Sequence, residues 1–114
     1  MNPLADRKLE TIPRQGYRLE QQELAQLLRQ LDSWQIDRST PEPQLVRSFK
    51  FKNFTEALGF CNRIGELAEQ VDHHPSLLLE WGKVSVRWWT HTIGGLHIND
   101  FILAARTDRM FKEI

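Results

Sequence analysis

The chain has 114 residues, and its 15 basic and 15 acidic side chains give a formal net charge of zero at pH 7. This length fits one domain with one hydrophobic core, and the balanced charge gives no overall attraction to nucleic acid or anionic lipid. The single cysteine, Cys61, excludes an internal disulfide. The amino terminus lacks a signal-peptide pattern, and no apolar run approaches the ~20 residues that span a bilayer. We therefore expect a cytoplasmic protein without nucleic-acid or membrane partners.

The amino-terminal part of the chain predicts an irregular segment and then a helix. Residues 1–18 combine charged side chains with prolines and a glycine and show no apolar period. They are expected to form a lead-in to a single domain over residues 19–114. Leucines three or four residues apart from Leu24 to Leu31 then predict a first amphipathic helix.

Two strand-like segments follow this helix. The residues around Trp34 alternate briefly, and residues 45–52 are rich in β-branched and aromatic side chains. Pro41 and Pro43 interrupt the chain between the two segments, so we expect them to pair as a hairpin.

A long helix is predicted to begin at Asn53, a favourable N-cap residue with a glutamate three positions on. Pro75 disfavours the helical conformation in the residue before it, so the helix should extend from about residue 54 to residue 72. The pair His73 and His74 is then expected at the carboxyl end of this helix. Its core-facing stripe is predicted from apolar side chains three or four apart, namely Phe54, Ala57, Leu58, Cys61, Ile64, Ala68 and Val71.

The remainder of the chain predicts a second hairpin and a last helix. Residues 77–80 and 83–91 have strand-like patterns and are separated by a two-residue turn. In the second strand, His91 is predicted to share a face with Trp89 and Arg87. Two glycines then precede a helix with the apolar stripe Ile98, Phe101, Ile102 and Ala105. This order of elements predicts an α+β fold, a four-stranded antiparallel sheet with three helices packed on one face (α-β-β-α-β-β-α).

Three of the four histidines, His73, His74 and His91, are the main candidates for chemistry. An imidazole with an unperturbed pKa near ~6.5 can both donate and accept a proton at neutral pH. The predicted helix end and strand end could bring all three to one wall of the domain. The alternative is structural, because a cation near the last carbonyls of a helix contributes ~0.3–1 kcal/mol. A zinc site is disfavoured because the spacing matches none of its common ligand patterns, and Cys61 is expected in the core rather than as a nucleophile.

Two further kinds of side chain accompany these histidines. Trp89 could provide a flat wall for a planar heterocycle or be buried between subunits, whereas Trp88 is expected in the core. Glu69 and Asp100 fit ordinary helix positions, although a carboxylate close to an imidazole would orient it. Apolar area on the outer face of the sheet and an open edge strand also predict self-association.

Several segments resemble the signature of the pterin-4a-carbinolamine dehydratases. They are Glu69-x-x-x-His73-His74-Pro75, Val84-x-Val86, Thr90-His91 and Gly95-Leu96-x-x-x-Asp100, together with Phe49-x-Phe51-x-Asn53-Phe54, Phe60, Arg63 and Trp34. The likeness runs from about residue 24 to residue 108. Two positions depart from it: Thr92 stands where the family often has an acidic residue, and the turn Trp81-Gly82 replaces the usual Tyr-Asn.

The resemblance implies an enzyme of pterin recycling. Family members remove water from a 4a-hydroxytetrahydropterin, without metal or cofactor, to give the quinonoid dihydropterin, in support of aromatic amino-acid hydroxylases. It also implies the fold described above and assembly into homodimers or homotetramers.

The same resemblance assigns residues to the site. It implies that His73, His74 and His91 bind the pterin and share the acid and base roles, with no assignment of which is which. It makes Glu69 and Asp100 supporting carboxylates and Trp34 a wall of the pocket, and Trp89, from its place beside His91, is a further candidate for binding the substrate. The competing expectation is a non-catalytic relative, since proteins of this fold also act as dimerisation partners of transcription factors and as assembly chaperones of the carbon-fixing carboxylase. Retention of all three histidines favours the enzyme.

Overall fold

The computed structural model describes residues 2–12 and 19–114. In these ranges it contains the predicted order of three α-helices and four strands, with the bounds α1 (Gln21–Arg29), β1 (Gln35–Asp37), β2 (Gln44–Lys50), α2 (Phe54–Val71), β3 (Ser76–Glu80), β4 (Lys83–Trp88) and α3 (Ile98–Lys112). Two short 3₁₀ turns, Pro3–Asp6 and His91–Ile93, supplement them. The predicted α-β-β-α-β-β-α order is therefore confirmed.

The four strands form one antiparallel sheet in the order β1-β2-β4-β3. Burial alternates along β4, where Val84, Val86 and Trp88 are fully buried and the residues between them are partly exposed. On the opposite face, the hydroxyls of Ser48 and Ser85 lie 3.0 Å apart. One face of the sheet is therefore core and the other is polar, as the period-two pattern predicts.

The helices pack on the buried face of the sheet. The indole Nε1 of Trp88 in β4 donates to the hydroxyl of Thr107 in α3, at 3.1 Å. On α2, the Phe60 ring lies 4.9 Å from the Phe49 ring of β2, centroid to centroid. The predicted arrangement of helices on one face is confirmed by these contacts.

Helix α2 positions the histidine pair. It begins where Asn53 Oδ1 accepts the Glu56 backbone N–H (2.9 Å). It ends at Val71, because Asp72 adopts the left-handed conformation (φ 53°) and its N–H closes the last turn on the Ala68 carbonyl. The predicted span of this helix is confirmed.

The predicted core stripe of α2 is partly wrong. The buried residues are Ala57, Phe60, Ile64 and Ala68, whereas Phe54 and Leu58 remain 45% and 39% exposed. Two overlapping rows three or four residues apart run along this helix, and the pattern alone does not select between them. The aromatic cluster selects the row that contains Phe60, because this ring packs against both Phe49 and Phe51.

Strand β4 is shorter than predicted and does not include His91. The strand ends at Trp88, and Thr90 pairs with Gly95 through the bonds Thr90 N–H to Gly95 O (2.8 Å) and Gly95 N–H to Thr90 O (3.3 Å). Between them, Gly94 takes the left-handed conformation (φ 63°), which suits glycine. This tight loop places His91 at the start of a 3₁₀ turn instead of on a strand face.

Part of the expected irregular lead-in is ordered, and we call residues 2–12 the N-terminal strap. In its 3₁₀ turn Leu4 and Ala5 are buried in the core. The Asn99 side chain of α3 makes two hydrogen bonds to the Glu10 backbone, each of 2.8 Å. An apolar pair has no detectable period, which is why the sequence pattern missed this packing. The remainder of the predicted lead-in, residue 1 and residues 13–18, lies outside the described residues.

Among the helices that the structure describes, none combines the length and apolar character needed to span a membrane.

Candidate active site

A cleft of about 270 Å³ lies where α2 ends and where the chain leaves β4. It gathers all three histidines proposed for chemistry, although they come from two separate loops. The N-terminal strap contributes Ile12 to its wall. The lining residues are Ile12, Asp72, His73, His74, Trp89, Thr90, His91 and Thr92.

His73 is the buried histidine of the cleft. Its Nε2 lies 2.9 Å from Asp100 Oδ1 and 3.2 Å from the Trp89 carbonyl oxygen, so this nitrogen carries a proton and donates. Burial of the ring acts to lower the pKa of His73, but the hydrogen bond and charge of Asp100, the Trp89 carbonyl and the charge of Asp72 together outweigh it. The net effect is a pKa above the ordinary value. The structure therefore favours the protonated, cationic form of this imidazole.

Asp100 is fully buried and holds several groups at once. While Oδ1 faces His73, Oδ2 accepts the hydroxyl of Thr90 (2.8 Å) and the backbone N–H of His97 (2.9 Å). A buried carboxylate requires such partners because desolvation of an unpaired charge is costly. Asp100 therefore joins the helix start of α3 to the floor of the cleft.

His74 is solvent-exposed and has a different setting. Its Nε2 lies 2.8 Å from Glu69 Oε1, on the last full turn of α2, and the Glu69 side chain is itself 80% exposed. An exposed pair of this kind adds little stability. It does orient the ring, since a carboxylate at Nε2 fixes the proton there and leaves Nδ1 as the bare nitrogen of the neutral form.

His91 and Trp89 share one carboxylate, which the sequence analysis missed. Oε1 of Glu42, in the loop between β1 and β2, lies 3.0 Å from His91 Nδ1 and accepts the Trp89 indole N–H at 3.2 Å. Glu42 is far from both residues in the chain. The one local sequence feature that could have drawn attention to Glu42 is its position between Pro41 and Pro43.

His97, the fourth histidine, also lies close to the site although it was not predicted to. It is the N-cap residue of α3, where its Nδ1 accepts the Asn99 backbone N–H (3.1 Å) and its own N–H binds Asp100. Burial lowers the pKa of His97, which favours the neutral ring. Its position three residues before Asp100 at a predicted helix start matches a capping-box spacing, so this role was detectable.

Trp34 is not among the residues that line the cleft. It is buried in the core, with its ring edge-on to Phe49 and its indole N–H between the two Asp108 carboxylate oxygens at 2.9 and 3.0 Å. Arg47 also pairs with Asp108, at 2.7 Å. The resemblance implies that Trp34 lies in the pocket. In this structure its indole connects the segment after α1 to Asp108 of α3.

Neither a metal centre nor a reactive thiol is formed by the described residues. Within residues 2–12 and 19–114, no group of three histidine, cysteine or acidic side chains is arranged to hold a metal ion. Cys61 is half-buried on α2, and burial raises the pKa of its thiol. A raised pKa disfavours the nucleophilic thiolate.

The fold is that of a known class, the pterin dehydratases. A family model described as "Pterin 4 alpha carbinolamine dehydratase" matches residues 17–110, and the chain belongs to this family. A protein of Chlorobium luteolum that is provisionally named pterin-4-alpha-carbinolamine dehydratase is 50% identical over 96 residues, which cover 84% of each chain.

Two solved structures are also similar. A transcriptional coactivator/pterin dehydratase from Brucella melitensis superposes with a TM-score of 0.75 at 34% identity, over 82% of this chain and 98% of that one. A pterin dehydratase-like protein identified as a RuBisCO assembly factor in the alpha-carboxysome superposes with a TM-score of 0.58 at 24% identity, over 68% and 88%. The second likeness concerns the fold alone.

Proposed function

We propose that this protein dehydrates a 4a-hydroxytetrahydropterin to the quinonoid dihydropterin and water by histidine general acid–base catalysis. The observation that carries the proposal is the convergence of His73, His74 and His91 on one cleft beside Trp89. The reaction is a redox-neutral elimination. It needs one group to protonate the departing hydroxyl and another to take the proton from the ring nitrogen.

The three imidazoles offer different proton states for these two steps. The charge of Asp100 favours the protonated form of His73. His74 and His91 each have one nitrogen beside a carboxylate, so in the neutral form the second nitrogen of each ring is a proton acceptor. A cleft in which one imidazole donates to a carboxylate and two others each have a second ring nitrogen open to the substrate has groups for both steps. Trp89, Glu69 and Asp100 act in the proposal by binding the ring or supporting the histidines.

The proposal includes a cellular setting. The substrate would come from an aromatic amino-acid hydroxylase in the cytoplasm, and the working form would be a homodimer or homotetramer. Support for assembly comes from strand β3, an edge strand on which Leu78 is 58% exposed, and from the exposed Phe54 and Leu58 on α2.

The test is a dehydratase assay on freshly generated 4a-hydroxytetrahydropterin, with the unassisted rate subtracted. His74→Ala and His91→Ala should each lower turnover by about 10²- to 10⁴-fold, the usual contribution of a positioned acid or base. Both side chains are more than half exposed, at 54% and 84%, so the melting temperature should change little. Gln70→Ala, on the same helix end as His74 and exposed, is the matched control and should keep full turnover.

The opposite result would favour the competing function. If both histidine variants kept full turnover, the histidine mechanism would be wrong, and if the parent protein gave no rate above the unassisted one, the enzyme assignment would be wrong. A non-catalytic binding protein, either an assembly chaperone of the carbon-fixing carboxylase or a dimerisation partner of a transcription factor, would replace it.

A further inference from the structure

We propose that Glu42 is a positioning residue for His91, which it holds at the cleft wall together with Trp89. The inference rests on the proposed dehydration. One carboxylate oxygen, Oε1, serves both groups, at 3.0 Å from His91 Nδ1 and 3.2 Å from Trp89 Nε1. The imidazole and the indole are therefore tied to a common point that belongs to another element of the fold.

The loop between β1 and β2 is built to hold this carboxylate. Pro41 and Pro43 flank Glu42, and each proline fixes its own φ and restricts the residue before it. The Thr40 hydroxyl donates to the Glu42 carbonyl oxygen at 2.7 Å, which closes the loop around that residue. A rigid loop matters because a carboxylate on a mobile one would lose entropy each time it met the ring.

Exposure makes the contact important for His91 in particular. The His91 side chain is 84% exposed, whereas that of Glu42 is only 28% exposed. The partly buried Glu42 carboxylate therefore restrains the exposed His91 ring. The next residue, Thr92, brings no charge to the ring. His73, by contrast, is held by burial and by Asp100.

The contact also selects the tautomer. A carboxylate can only accept a hydrogen bond, so the neutral His91 ring carries its proton on Nδ1. Nε2 is then the nitrogen that can exchange a proton with a substrate. Without Glu42, the ring could rotate in solvent and the proton could occupy either nitrogen.

The kinetic test uses the dehydratase assay and a double-mutant cycle. Glu42→Ala should lower kcat about tenfold to a hundredfold, since small losses of orientation are costly in catalysis. If Glu42 acts through His91, then Glu42→Ala should cause no further loss in a His91→Ala background, because coupled residues are not additive. Glu42→Gln keeps an amide oxygen as acceptor and should restore part of the rate. Glu66→Ala, an exposed glutamate on α2, is the matched control and should leave kcat unchanged.

A second measurement does not depend on turnover. Nitrogen-15 NMR of the imidazoles should show His91 as the Nδ1–H tautomer in the neutral parent, and the Trp89 indole N–H signal should be shifted by its carboxylate partner. In Glu42→Ala the His91 signals should become those of a tautomer mixture, and the Trp89 signal should move.

The two failures can be told apart. Unchanged NMR signals, unchanged kcat in an active parent, or losses that multiply in the double variant would each overturn the role of Glu42. A parent without activity whose NMR signals depend on Glu42 would instead overturn the proposed dehydration, and with it any catalytic meaning of the contact.

Discussion

The histidines of the cleft differ in how their protonation is controlled. His73 is buried against Asp100, whereas His74 and His91 are exposed and are oriented by single carboxylates. Folding raises the pKa of His73, chiefly through the hydrogen bond and charge of Asp100 working against burial, so its protonation is linked to folding. The effect should therefore be visible in stability as well as in activity.

The His73–Asp100 pair predicts that stability falls as the pH rises through the raised pKa of His73. Since folding raises the pKa of His73, the folded state holds this proton more tightly than the unfolded state does. The stabilisation is complete below the unfolded pKa of ~6.5 and is lost as the pH rises through the higher, folded pKa. Urea unfolding of the parent and of His73→Gln, from about pH 6 to pH 9, should show this decline in the parent only. Parallel pH profiles for the two proteins would contradict the assignment.

The sequence predicts the histidines of the site better than it predicts their partners. The spacing around Pro75 and Thr90 was enough to propose His73, His74 and His91, and the structure gathers them in one cleft. Glu42 could not be predicted in this way, because its contact with His91 spans 49 positions and depends on how the first hairpin folds. The carboxylate partner of Trp34 could not be predicted for the same reason, since it lies 74 positions away.

At the scale of elements, local chemistry predicted helix ends more reliably than strand ends. The α2 boundaries followed from one N-cap residue and one proline, both of which act within a few positions. The end of β4 depends instead on the Thr90–Gly95 bridge, a pairing that alternation in the sequence cannot reveal. The prediction that His91 shares a strand face with Trp89 and Arg87 is therefore wrong, although His91 and Trp89 both line the cleft.

Alanine substitutions at two glycines should change the free energy of unfolding in opposite directions. The first, Gly82, lies in the turn between β3 and β4. A Cβ at Gly82 would lie 2.9 Å from the Phe51 carbonyl oxygen, and the Phe51 N–H donates to the Gly82 carbonyl at 2.8 Å. Gly82→Ala must displace this backbone contact and should lower the free energy of unfolding by about 1–3 kcal/mol.

The matched control is Gly59→Ala on the exposed face of α2, where a Cβ meets nothing within 4 Å. Alanine should stabilise this helix by up to ~1 kcal/mol. Both changes are measured by urea unfolding. Equal stability of the two variants would show that the close approach at Gly82 has no energetic importance.

At the scale of the whole molecule, the exposed apolar side chains predict association. The outer sheet face is less apolar than the sequence suggested, because Arg87 is bound there by Asp37 (2.8 Å) and Gln44 (3.1 Å). Leu78 on the edge strand nevertheless remains 58% exposed. Light scattering at micromolar concentration should therefore give two or four times the chain mass of 13.4 kDa.

A charge at the sheet edge provides the control. Leu78→Lys should shift the measured mass towards that of a single chain while leaving the melting temperature of the fold nearly unchanged, because the side chain is not in the core. A parent protein that scatters as a monomer would count against the homodimer or homotetramer.

The N-terminal strap makes completion of the cleft depend on the order in which the chain is synthesised. Its residues leave the ribosome before those of α3, yet Glu10 binds Asn99, 89 positions later, and the Ala5 carbonyl binds Arg106, 101 positions later. The strands and α2 can pair before α3 emerges, but the Ile12 wall cannot dock until the last helix is available. The strap is thus made before the sheet but reaches its place only after α3, which also carries the Asp100 that holds His73, so the site closes late in synthesis.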